Sequence, residues 1–152
     1  MEITAYDLAQ RFVGIKEVPG TTSNPQILAM LRLDNKWPTD DEVPWCSAFM
    51  NYVAWLLRLP RSKNLLARSW LTVGTPLDIA NAEPGFDVVV LKRGGRNQPG
   101  PSNVTAKGHV GWYAGTIGGN LLLLGGNQDN SVSISEYSHT RLLGIRRLKP
   151  LE

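Results

Sequence analysis

The hydrophobic period of this chain changes halfway along. In the first half apolar residues recur every third or fourth position, and in the second they fall in short runs bounded by Gly, Asn and Ser. Thr4 with Asp7 three residues on reads as a helix cap, Leu8, Ala9 and Phe12 form one face, and Gly14 is a stop, so a first helix is predicted over roughly 4–13. "SNPQILAMLRL" sets Asn24 as cap and Pro25 at the first helical position of a short second helix. From Cys46 onward Phe49, Met50, Val53 and Leu57 recur at helical spacing, with Tyr52 and Leu56 widening the stripe, which predicts a buried central helix ending before Pro60. Residues 61–84 read as loop-rich, with a helical turn near "NLLARSW".

Then come "FDVVVL" (86–91), "HVGWYAG" (109–115), "NLLLLGG" (120–126), "VSISEY" (132–137) and "GIRRL" (144–148), the pattern of an antiparallel meander. Helices first and strands after predict an α+β fold, with N-terminal helices, including the one carrying the cysteine, packed on a C-terminal antiparallel sheet. No repeat or linker interrupts residues 1–152, so a single domain is expected.

Composition adds little beyond an ordinary globular balance. The net charge is +3, with no basic run longer than Arg146-Arg147, so a nucleic-acid groove has no support, while an anionic polymer remains a suitable partner. No apolar run approaches the length of a membrane span, so stable membrane insertion is not expected. The start, "MEITAYDLAQ", has an early acid and no basic segment before an apolar stretch, which does not read as a secretory signal; synthesis in the cytoplasm is expected. Two histidines 30 residues apart and one cysteine make no zinc-ligand spacing, and no phosphate-binding glycine motif is present, so neither metal nor cofactor is expected. Asp40, Asp41 and Glu42 read as a solvated acidic turn, with calcium binding as the alternative.

The one cysteine is the point of chemical interest. Cys46 falls in the predicted first turn of the central helix, where unpaired N–H groups and the helix dipole favour a thiolate; the alternative is a packed small hydrophobe. A nucleophilic thiol needs a base. His109 opens a strand right after Gly108 and is preferred by position over His139, which lies in the polar "YSHTR" segment. Hairpin register offers the third member: a three-residue loop centred on Gly118 sets Asn127 opposite His109, whereas a two-residue Gly118-Gly119 turn sets Gln128 there. Asp129 and Asn130 are further choices, and a plain turn explains "GGNQDN" equally well. Trp45, Trp70, Trp112 and Tyr113 could line a groove or pack in the core. Arg93, Arg96 and Lys107 could meet carboxylates from the loop before His109, or simply be solvated.

"KEVPG…SNPQIL", "DDEVPWCSAFMNYV", "EPGFDVVVL", "GHVGWYAG" and "LLGGNQDNSVSIS" together resemble the CHAP and NlpC/P60 superfamily of cysteine peptidases and amidases, and in particular single-domain phage lysins. The resemblance runs over nearly the whole chain, in the family's order. It implies a papain-like fold, with Cys46 as nucleophile, His109 as base and Asn127 as the polar third residue. Trp45, Trp112 and Gln128 would contact substrate. It further implies bacterial peptidoglycan as partner, a monomer, no cofactor, and release from the host cytoplasm to the wall by a holin. A secreted antibacterial amidase and a non-catalytic wall-binding or tail protein are the alternatives. Two departures from the family pattern stand out: Gly125-Gly126 where many CHAP enzymes have an acid, and Phe86 inserted between Pro84-Gly85 and Asp87.

Overall fold

The computed structural model describes residues 2–19, 23–41, 43–94 and 97–149. Helix α1 is Ala5–Ala9, prolonged by a 3-10 turn over Gln10–Phe12. Its start is a reciprocal cap: the Thr4 hydroxyl accepts from the Asp7 amide at 3.1 Å, and the Asp7 carboxylate accepts from the Thr4 amide at 3.0 Å. These bonds hold the Asp7 carboxyl below its usual range. Helix α2 is Pro25–Leu31, capped by the Asn24 side chain accepting from the Gln26 amide at 2.9 Å. Helix α3 is Cys46–Leu56, so the cysteine is its first residue. It stops short of Pro60, where Arg58 turns to φ +56°.

Six strands follow: β1 Thr75–Leu77, β2 Asp87–Lys92, β3 Gly108–Ile117, β4 Asn120–Gln128, β5 Ser131–Tyr137 and β6 Leu142–Arg147. They form one antiparallel sheet in the order β1-β6-β2-β3-β4-β5. Strands β2 to β5 are the expected meander, but β6 does not continue it; it inserts between β1 and β2. Strand β1 lies where only loop and a helical turn were expected. It is three residues long and carries Pro76, which is tolerated at a sheet edge and gives no alternating pattern to read.

The sheet is strongly curled. Tyr137 and Leu142 are five Cα steps apart and linked through a 3-10 turn over His139–Arg141. A flat sheet would put their strands four spacings apart, roughly 19 Å, which only a fully extended link could span.

Both faces of the sheet are covered, as its period-two burial shows. Val88, Val90, Val110, Trp112 and Leu124 face the helices, packing with Trp45, Phe49, Met50 and Val53 of the α3 region. Val89, Leu91, Tyr113, Leu121, Leu123 and Ile145 form a second apolar cluster on the other face. That is why β2 reads as an unbroken apolar run rather than an alternation.

Two readings of polar residues change. Asp41 is not a solvated turn acid: it is 2% exposed, and one carboxylate oxygen accepts from the backbone amides of Val18 at 2.9 Å and Asn24 at 2.8 Å. Its charge is spent bracing two loop segments. Glu42 lies outside the described residues. Asp87, next to Phe86, is buried too; it takes Arg147 of β6 in a two-pronged pair at 2.8 and 2.9 Å and accepts from the Glu83 amide. Asp87 thus fastens β6 to β2.

Candidate active site

Helix α3 differs at its start from α1 and α2. Its cap position is Trp45, whose side chain makes no capping bond, so among the described residues no cap side chain takes up the amides of the first turn. The indole instead donates to the Glu17 carboxylate at 2.8 Å and lies fully buried against Gly126. The amides of Ser47 and of Cys46 itself lie close enough to the thiol to favour its anion, and so does the amide of Val110, the residue after His109. Burial outweighs them: Cys46 is 3% exposed, and its thiol is pushed up despite these amides and the charge of Arg93.

His109 sits at the second position of β3 and is also buried. Burial pushes its imidazole down to about 4; a hydrogen bond with Gln128 works in the opposite sense, and the charges of Arg141 and Arg93 add to the fall. His109 Nε2 lies 2.9 Å from Gln128 Oε1. The Gln128 amide cannot be turned round, because its Nε2 donates to the Ser133 carbonyl at 2.7 Å and the Leu123 carbonyl at 3.2 Å. Its oxygen must therefore face His109, and that oxygen can only accept. The imidazole proton is accordingly on Nε2, which leaves Nδ1 with a lone pair.

Gln128 rather than Asn127 reaches His109, for a reason no hairpin count contains. The turn is the two-residue Gly118-Gly119 form, pairing Ile117 with Asn120. A bulge between Tyr113 and Gly115 then moves the register by one residue, which on counting alone would restore Asn127. A second bulge, between Gly125 and Gln128, undoes that. Asn127 takes φ +58° within it, so the next side chain, Gln128, turns onto the His109 face. The glycine pair makes room: a Cβ on Gly125 would stand 2.7 Å from Gln128 Oε1, and one on Gly126 would stand 2.7 Å from the Trp45 ring. This is the physical reason an acid does not fit there.

A third group on His109 escaped sequence reading altogether. The Tyr137 hydroxyl, at the end of β5, is 3.1 Å from the same Nε2. The only signal was an aromatic at a strand end, which by itself says nothing of reach.

Pro44, Cys46, Leu65, Leu66, Ala67, Arg93, Ala106, Lys107 and Gly108 line a cleft of about 380 Å³. Its charged lining is cationic, and neither Arg93 nor Lys107 has a carboxylate partner among the described residues. The loop forming one wall is pinned by the fully buried Arg68, which donates to the carbonyls of Lys107, Pro99, Gly100 and Asn103 at 2.8–3.0 Å. Arg96 lies outside the described residues. Trp112 and Trp70, like Trp45, are fully buried, and Tyr113 is nearly so, facing the second apolar cluster; the structure places none of them on the cleft. Gln128 is itself 3% exposed and turned to His109 rather than to solvent. His139 is exposed, and Asp129 and Asn130 form the β4–β5 turn with positive φ. A wider concavity of about 910 Å³ at the other end of α3, lined by Trp55, Arg58 and Lys63 among others, contains neither the cysteine nor a histidine. No cluster of metal-ligating side chains occurs among the described residues, and no helix among them is long and apolar enough to cross a membrane.

No protein-family profile and no curated protein matches the sequence. Solved structures do match the fold. NlpC1 from Trichomonas vaginalis superposes with a TM-score of 0.58 at 19% identity over 95% of this chain, and NlpC2 from the same organism with 0.57 at 20% identity over 94%. This chain covers 43% and 44% of theirs, less than half their length. The α+β fold of this chain is thus similar to that of the matched part of those NlpC proteins.

Proposed function

We propose that this protein is a cysteine-dependent hydrolase that cuts an amide bond in the peptide part of bacterial peptidoglycan. The observation that carries the reading is the start of α3, where the cap side chain makes no bond: a lone thiol set against first-turn amides, at a cationic cleft, beside the strand end that holds a histidine in one tautomer. The NlpC-like fold and the family's motifs around Cys46 and His109 support it.

With both groups desolvated, the resting site holds a neutral thiol and a neutral imidazole. As Sγ of Cys46 attacks the amide carbonyl, its proton passes to Nδ1 of His109, and the carbonyl π pair moves onto oxygen. The oxyanion is met by first-turn amides of α3, which need not reorganise. The imidazolium, its Nε2–H donated to Gln128, gives the Nδ1 proton to the leaving amine as the C–N bond breaks. Water then gives a proton to Nδ1 and its oxygen to the thioester carbon; the C–S bond breaks, and the proton returns to sulfur. Arg93 and Lys107 suit the carboxylates that stem peptides carry.

Within this reading the protein acts as a phage lysin, made in the host cytoplasm and reaching the wall after release. Purified protein is expected to clear suspended sacculi and liberate new amines, and Cys46→Ala to do neither. Undiminished lysis by Cys46→Ala would sink the proposal. Mass spectrometry of the released fragments identifies the bond cut.

A further inference from the structure

We propose that Tyr137 is a positioning residue for His109: its phenol oxygen is a second acceptor for the Nε2–H, and Arg141 holds the phenol in place. The proposal deepens the hydrolase reading and rests on it only where turnover is measured. Gln128 Oε1 at 2.9 Å already requires the proton to be on Nε2, so the Tyr137 oxygen at 3.1 Å from the same nitrogen must accept rather than donate. A donor N–H shared between two oxygens on different strands limits rotation of the ring in a way that one acceptor cannot. Strand β4 supplies one oxygen and β5 the other, and the Tyr137 ring lies against the imidazole at 5.1 Å and 36°.

The phenol is held from outside. The Arg141 guanidinium stacks over the Tyr137 ring at 5.1 Å, and its Nε donates to the Lys92 carbonyl at 2.9 Å. Arg141 thereby ties the phenol to the end of β2, one residue before Arg93 of the cleft. Burial pushes the Tyr137 hydroxyl up to about 12, so it stays a neutral phenol wherever the enzyme works. The charged or titratable groups acting on the pair are Arg141 and Arg93 on His109, and Arg141, Cys46, Asp129 and Arg93 on Tyr137. The core does not need the hydroxyl, since a phenyl ring would fill the same space.

The experiment is Tyr137→Phe in the full chain, followed by 15N NMR titration of His109 and by separate kcat and KM on sacculi. An acceptor lost from an imidazolium destabilises it, so the His109 midpoint should fall further. The kcat should drop roughly three- to tenfold, the size of one net hydrogen bond, with KM unchanged. A folded variant with an unchanged midpoint and unchanged kcat overturns the proposal. In the unmutated protein an NOE from the Nε2 proton to the Tyr137 ring is expected, and its absence overturns the proposal whether or not the variant folds. If the unmutated protein leaves sacculi intact while Tyr137→Phe still shifts the midpoint, the hydrolase reading fails and the positioning role stands.

Discussion

At His109 one residue of register decides which amide meets the imidazole. Asn127 and Gln128 are chemically alike, and each stood opposite His109 under one plausible turn. The actual strand contains two bulges, and their effects on register cancel. Gln128→Ala should therefore cost at least tenfold in kcat/KM, because Nε2 loses the acceptor that holds its tautomer. Asn127→Gly should stay within about threefold of the unmutated rate, since the residue supplies a left-handed backbone turn that glycine adopts freely. Kinetics of the two variants on the same sacculi preparation test this, and the reverse ranking would return Asn127 to the site. Bulges leave little trace in sequence. Gly125-Gly126 was visible in the sequence, but its meaning depended on how Trp45 and Gln128 pack against it.

Among the elements, the helices were the more legible. Caps and apolar periodicity are local, so Thr4, Asn24 and Pro25 marked α1 and α2, and the stripe from Phe49 to Val53 marked α3. What periodicity could not show was that the α3 cap position would hold a buried tryptophan whose side chain makes no capping bond. The fit of that helix start on β4 is tight, since a Cβ on Gly126 would also lie 2.8 Å from Phe49 Cβ. Gly126→Ala is thus expected to overpack the contact and cost about 1–3 kcal/mol. Urea denaturation measures this, and a loss near zero would mean that helix and strand separate easily. Of the strands, those in the meander were readable from their bounded apolar runs. Strand β1 was not, because three exposed or half-buried edge residues carry no hydrophobic pattern.

For the whole molecule the burial of the site has a cost in acid. A histidine with a folded pKa of about 4, against about 6.5 when unfolded, binds its proton less readily in the native state. Between those values the unfolded chain holds more protons, so stability rises with pH across this window and is lost as pH falls through it. The contribution is about 3 kcal/mol. Equilibrium unfolding at pH 7 and pH 4 should show a loss of that order, and His109→Gln should remove it; an equal loss in both proteins would place the acid sensitivity elsewhere.

The sequence by itself determined the class of fold, the cap-and-stripe helices and the β2–β5 meander, because each rests on neighbours within a turn or a hairpin. Tertiary structure alone decided three things. Strand β6 returns to β2, bringing Arg147 to Asp87, and the sheet curls enough to carry Tyr137 to His109. Gln128, not Asn127, lies against His109. These outcomes depend on contacts between residues 19 to 60 positions apart, and on bulges whose register is set by what packs against them.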